Sequence, residues 1–295
     1  HISNLIGQLN TKVYQKLYKL VLPNELQKSA CLIVMGSEGR NEQIIKTDQD
    51  NALVIKDGVD VEQYRPYMEA ITSHLIDFGY PRCEGNIMVS NPFWCKTVSE
   101  YKSETARWIE APDMQNYMDL AIFFDSFAVA GDKDLLINLK DDLFNKLHDK
   151  DVFMAYFAKA TLAFETPSTV ANFMTKTHNI DIKKAAVFPI VQGIRSLALR
   201  EKIRETTTVK RIKILEEKKV LQKDKAAELI EAFDVVNNLR LKAQLEHIQD
   251  GKKINNEVDT HTLGKIERDL LKDSFKIVNE FKKFINYTFR IDKIS

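Results

Sequence analysis

The stretch Gly36–Asn51, GSEGRNEQIIKTDQDN, brings together the groups that bind phosphate and the groups that bind metal. Gly36 lacks a Cβ, so the backbone there can approach a phosphate closely. Ser37 adds a hydroxyl donor. Arg40, one turn later, carries a guanidinium able to grip phosphate oxygens in bidentate fashion. Residues 38–47 separate Gly36-Ser37 from Asp48-Gln49-Asp50. If that triplet opens a strand, Asp48 and Asp50 share a face with their Cα atoms roughly 7 Å apart. Carboxylates so placed can share the paired ions, roughly 3.5–4 Å apart, of phosphoryl-transfer enzymes. Two Mg2+ ions are the natural occupants, because Mg2+ favours carboxylates together with substrate phosphates.

Other uses of a D-x-D fit less well. An EF-hand loop needs a ligand two residues after Asp50 and then glycine, but Ala52 and Leu53 follow. A haloacid-dehalogenase nucleophile follows its apolar strand directly, whereas Lys46 and Thr47 precede Asp48. A surface turn with two solvated aspartates is the bland alternative, and the Gly-Ser upstream argues against it.

The flanking sequence supplies elements to position these groups. Cys31–Met35 (CLIVM) reads as a buried strand ending at Gly36, and Asn51–Ile55 (NALVI) as a second strand stopped by Asp57-Gly58. Val61, Tyr64, Met68, Ile71 and Leu75 recur at helical spacing, with Gly79 as the C-terminal cap. Ile87–Val89 is a candidate third strand. Thr97 and Glu100 have the form of a capping box, with Tyr101, Thr105 and Trp108 on one side of the helix they open. Pro112-Asp113 starts a further helix expected to run toward Gly131-Asp132. Trp94 and Trp108 read as packing residues.

Seven of the 10 Gly and five of the 7 Pro precede residue 151, so punctuation nearly vanishes from the second half. There Leu215, Leu221, Ala227, Ile230, Phe233, Val236, Leu239 and Leu245 mark amphipathic stripes. The fold class expected is α+β: a small mixed-sheet domain followed by an all-helical bundle. The divisions are 1–30 as an N-terminal helical segment, 31–150 as the catalytic domain and 151–295 as a helical domain.

Charge is nearly balanced over the 295 residues, 43 basic against 42 acidic, which argues against a nonspecific nucleic-acid binder. Residues 1–150 hold 16 Lys+Arg and 22 Asp+Glu, net −6, leaving the remainder at net +7. An acidic metal-binding half and a basic phosphate-meeting half would produce that contrast; so would two solvated surfaces. No run reaches the roughly 18 apolar residues of a membrane span. The chain begins without Met and without a secretory signal, which suggests a cytoplasmic piece of something longer. Cys31, Cys83 and Cys95 read as reduced thiols, and the histidines (1, 74, 148, 178, 247, 261) do not pair at zinc-ligand spacing.

The Gly-Ser and D-x-D arrangement resembles the signature of the polymerase-beta-type nucleotidyltransferase superfamily. The fuller strings GSEGRNEQ and TDQDNALV resemble one branch of it: the nucleotidyltransferases of bacterial signal transduction, often fused to CBS and cyclic-nucleotide-binding domains and similar to the uridylyltransferases of nitrogen signalling. FGYPRCEGNIMVSNPFW, FFDSFAVAGD and NIDIKKAAVFPIVQGIRSLAL extend the match, the last resembling that branch's helical "substrate-binding" domain. The resemblance implies Asp48 and Asp50 as metal ligands, with Gly36 and Ser37 on the triphosphate. It further implies transfer of a nucleoside monophosphate from an NTP to an acceptor, by analogy a protein.

The superfamily usually supplies a third carboxylate from a later strand, and Ile87–Val89 contains none. Glu84, Asp119 and Asp125 are the substitutes; Asp125 falls on an apolar helical stripe, either near a metal or hydrogen-bonded in the core. In the helical domain Lys183, Lys184 and Arg195 are candidate substrate contacts, the last two spaced to share a helix face unless Pro189 interrupts it. A solvated basic face is the simpler explanation of them. Two other functions stay open: a nucleotide-binding regulatory module that does not turn over, and a helical interaction module whose first domain is vestigial.

Overall fold

The computed structural model describes residues 2–45, 48–167 and 179–294. Lys46 and Thr47 of the motif, and His1 and His178 among the histidines, lie outside them. The chain forms two compact units, His1–Asp149 and Lys150–Ser295.

The first unit is built on a four-stranded mixed sheet of order β3-β2-β1-β4. β1 (Ala30–Val34) runs antiparallel to β2 (Asn51–Ile55) and to β4 (Phe127–Gly131), while β3 (Cys95–Thr97) runs parallel to β2. Every residue of β1 and β2 is buried, which explains why both read as continuous apolar runs rather than alternating ones. One core gathers Tyr14, Leu17 and Tyr18 of α1 (Ile2–Val21) with Leu32, Leu53 and Val129 of the sheet and Met68, Ile71 and Leu75 of α2 (Arg65–Asp77). The N-terminal helix is therefore an integral layer of the first unit. α3 (Val98–Glu110), α4 (Met114–Phe124) and α5 (Lys133–Lys146) complete it, with Trp94, Trp108, Phe123 and Tyr101 in an aromatic cluster.

Local signals place most of these elements. Thr97 and Glu100 form the full capping box of α3, and Gly79, at φ +81°, follows the last turn of α2. Two expectations fail. Ile87–Val89 is a bend, because its ends are bound by the backbone and side chain of Asn51; the third strand is Cys95–Thr97. The helix opened by Asp113 stops at Phe124 instead of reaching Gly131. The apolar run after it pairs with β1, which shows how a short apolar segment is ambiguous between helix and strand until its partner is known.

The second unit is predominantly helical: α6 (Asp151–Lys159), α7 (Phe188–Arg200), α8 (Thr208–Glu217), α9 (Lys223–Gln249) and α10 (Lys265–Phe289). A small antiparallel ladder adds to the bundle, joining β5 (Asn179–Asp181) to β6 (Glu257–Asp259). Pro189 sits in the first turn of α7, where its missing N–H is harmless, and a π-helical turn at Lys183–Val187 leads into it. No helix among the described residues is long and apolar enough to cross a membrane. Thr97→Ala removes a cap on which α3 depends and is expected to lower stability by about 1 kcal/mol; urea denaturation of the variant beside the parent measures it.

Candidate functional site

Val34 pairs with Asn51 across the β1/β2 ladder, and the Met35 amide donates to the Asp50 carbonyl at 2.9 Å. The exit of β1 therefore lies against the start of β2, and the two halves of the motif meet. Gly36 turns the chain at φ +57°, and a Cβ there would stand 2.6 Å from Asp50 Oδ2. One helical turn, Gly36–Gly39, follows. At Gly39 a Cβ would fall 2.2 Å from the Asp125 carbonyl oxygen and 2.8 Å from that of Val34, so this position too admits only glycine. The Ser37 hydroxyl is half-buried and makes no side-chain hydrogen bond among the described residues.

Asp48 and Asp50 sit just before β2, and the alternation expected of a strand operates through them. Both are half-buried and aimed to one side, while Gln49 and Asn51 are fully buried on the other. A carboxylate oxygen from each aspartate and Sγ of Cys83 lie within 4.8 Å of one another, the group of metal-ligand type among the described residues. Burial, then the negative charge of Asp50, pushes the Cys83 thiol up to about 12. It remains a thiol at neutral pH without an ion beside it.

Below the aspartates runs a buried polar network that the sequence did not announce. Tyr14 donates to Glu38 Oε2 at 3.1 Å and accepts from Asn51 Nδ2 at 3.3 Å. Asn10 donates to Gln43 Oε1 at 2.8 Å and accepts from Tyr80 at 2.6 Å. Asn51 also binds the Val89 amide at 2.9 Å. The first helix thus reaches under both halves of the motif through Asn10 and Tyr14. Glu38 is only 7% exposed. Burial, opposed by the Tyr14 hydrogen bond and reinforced by the charges of Asp50 and Asp48, pushes its carboxyl up to about 8. Period-two alternation could have pointed to Gln49 and Asn51; nothing local marked Glu38 or Cys83 as their neighbours.

Arg40 takes a different place from the one its spacing suggested. Its Nε donates to Glu42 Oε2 at 2.7 Å and its Nη1 to Asp125 Oδ2 at 2.8 Å, with the Asp125 side chain wholly buried. The guanidinium ties the motif turn to the end of α4. Asp125 lies just past that helix and is Arg40's counter-charge. Asp119 is buried within α4 and accepts from Gln115 at 2.8 Å, while Glu84 is exposed beside Cys83. β3 presents Cys95, Lys96 and Thr97, so the strand beside β2 contributes no carboxylate.

In the second unit Lys183 and Lys184 are exposed, with Lys184 Nζ 3.6 Å from Asp181. Arg195 is buried and donates to Gln192 in its own helix. Lys184 and Arg195 do not share an open face, because the π-turn and Pro189 change the phase between them and α7 is buried from Pro189 to Leu199. Trp94 and Trp108 are buried and pack on each other, ring centroids 6.4 Å apart.

Two family models match the chain. One, described as "Putative nucleotidyltransferase DUF294", covers residues 1–115. The other, described as "Putative nucleotidyltransferase substrate binding domain", covers residues 151–289. No curated protein matches the chain significantly.

Removing Arg40 would take the guanidinium away from the buried Asp125 carboxylate, so Arg40→Met is expected to lower unfolding free energy by about 3–5 kcal/mol. Adding Asp125→Asn should recover part of that loss in a double-mutant cycle by urea melting; purely additive effects would deny the coupling. Glu38 binds its proton more tightly folded than unfolded, so its contribution is complete below its ordinary carboxylate range and lost as pH rises toward 8. With metal chelated, the melting temperature of Glu38→Gln should match the parent near pH 4.5, gain on it as pH rises and level off above about 8. A gap that does not change with pH would show that Glu38 titrates normally.

Proposed function

The chain belongs to the putative nucleotidyltransferase family that these two models describe, and on that premise we propose that its first unit is a Mg2+-dependent nucleotidyltransferase. It would bind a nucleoside triphosphate and transfer the nucleoside monophosphate to an acceptor. The observation that carries this reading is the convergence of Asp48 and Asp50 beside Gly36, whose missing side chain leaves open the space next to Asp50 Oδ2.

The donor set fits divalent ions: two adjacent carboxylates are costly to hold together unless a cation lies between them. Such ions, when bound, neutralise triphosphate charge and orient the attacking and leaving oxygens. Asp48 and Asp50 would hold them, aimed by the buried Gln49 and Asn51 between and after them. Gly36 would let the backbone come close to the triphosphate, and Ser37 would donate its hydroxyl to a phosphate oxygen. The acceptor's oxygen would bond to the α-phosphorus as the bond to the bridging oxygen breaks, with pyrophosphate leaving. Preorganised position and charge supply such catalysis. Arg40 and Asp125 serve it as a strut, since each is the other's partner. The helical unit would receive the acceptor, a protein in a signalling pathway, with Lys183 and Lys184 as its exposed cations.

One observation favours a second reading. Because β3 carries no acid, the unit would bind the nucleotide as a regulatory module without turning it over.

The test is incubation with each α-labelled NTP, Mg2+ and cell extract. The parent is expected to label an acceptor and release pyrophosphate; Asp48→Asn and Asp50→Asn should each lose at least about 100-fold. Equal labelling by all three would sink the mechanism. Saturable Mg-NTP thermal shifts without pyrophosphate release would select the regulatory module.

A further inference from the structure

The residues that interleave with the two aspartates also fix what stands opposite them. The Gln49 amide donates to the Pro81 carbonyl at 3.2 Å, and the Asn51 amide donates to the Ile87 carbonyl at 3.1 Å. Asn51 Oδ1 then accepts from the Val89 amide at 2.9 Å. The loop from Pro81 to Val89 is thereby clipped at both ends to the same short run of chain. Within it Cys83 is buried, its carbonyl accepting from the Asn86 amide at 2.9 Å in a tight turn where Asn86 takes φ +55°. Odd-numbered residues hold the loop; even-numbered residues present their carboxylates to it. Sγ arrives within 4.8 Å of both carboxylate donors as a consequence of that register.

Two further features mark this as a built cradle. Gly36 leaves room beside Asp50 Oδ2 that any Cβ would fill. Glu38, 7% exposed and subject to the charges of Asp48 and Asp50, has Oε1 buried without a partner at hydrogen-bond distance among the described residues, the Asn10 side-chain amide being nearby. Two adjacent carboxylates with a buried thiol beside them call for a cation with affinity for both oxygen and sulfur.

We propose that Cys83 is the third protein donor of this site, making an Asp48–Asp50–Cys83 ligand set that takes a borderline divalent ion, Zn2+ or Co2+, more tightly than Mg2+. The inference rests on the reading of Asp48 and Asp50 as metal ligands and adds the sulfur. When such an ion binds, the S–H bond breaks, the proton passes to solvent and a metal–sulfur bond forms, with no change of oxidation state. Mg2+ demands oxygen ligands and would leave the thiol protonated. Ion identity would then decide the geometry at the third position, which β3 leaves without a carboxylate.

Co2+ titration of the purified protein tests this directly, with bound metal counted by equilibrium dialysis and absorption followed in the near ultraviolet. The parent is expected to bind Co2+ with a sulfur-to-cobalt charge-transfer band, which a carboxylate site lacks. Cys31→Ser and Cys95→Ser should keep the band. Cys83→Ser should lose it and bind Co2+ at least about tenfold more weakly, with Mg2+ affinity within about twofold of the parent. Cys83→Asp should lose the band and gain Mg2+ affinity. Co2+ bound without the band, or a band surviving in Cys83→Ser, overturns the sulfur ligand and leaves the aspartates in place. Absence of any divalent-ion binding to the parent overturns both the inference and the reading beneath it.

Discussion

One hydrogen bond, from the Met35 amide to the Asp50 carbonyl, continues the β1/β2 ladder past its last paired residues and governs the motif. An antiparallel pair necessarily brings the end of one strand to the start of the next, so a glycine leaving β1 faces a carboxylate approaching β2. The pleat then sorts side chains by parity. Asp48 and Asp50 point out, and Gln49 and Asn51 point in. A slip of one residue would exchange the two sets, burying charge and exposing amides, so the buried network is what holds the carboxylates to their side.

Beneath the motif the molecule uses polar groups where a small domain would ordinarily use apolar ones. Tyr14, Glu38 and Asn51, and Asn10, Gln43 and Tyr80, hydrogen-bond to one another across three separate chain segments. Networks of this kind are rigid when complete and expensive when broken, because each loss leaves a desolvated partner. The ion pair of Arg40 with Glu42 and Asp125 does the same on the neighbouring side, coupling the turn after β1 to the segment between α4 and β4. The candidate site is thus braced from α1 on one flank and from the end of α4 on the other.

What could be read from the sequence follows from how local each signal is. Gly36, Ser37, Asp48 and Asp50 stand out because strand, turn and strand are consecutive, and their facing follows from a period of two. The mixed sheet followed by helices is legible in the distribution of glycine and proline. Long-range relations were not. Cys95–Thr97 is too short to announce itself as a strand, and Ile87–Val89 looked more like one until Asn51 was seen to claim its backbone. Arg40 carries the right chemistry for phosphate, but besides the nearby Glu42 it pairs with Asp125, 85 positions away. Helical spacing groups Arg195 with Lys184, but a π-turn breaks the phase between them. Cys83 carries no local mark beyond that of a reduced thiol.

The place of α1 bears on how this protein can be dissected. A fragment cut at Ala30 would keep both strands, both aspartates and every residue of the recognisable motif, and would look complete by inspection. It would lack Asn10 and Tyr14, removing buried hydrogen bonds that Gln43, Glu38, Asn51 and Tyr80 make to them, and it would lose the apolar wall formed by Leu17 and Tyr18. The smallest autonomous piece that carries the site is therefore larger than the piece that carries its signature.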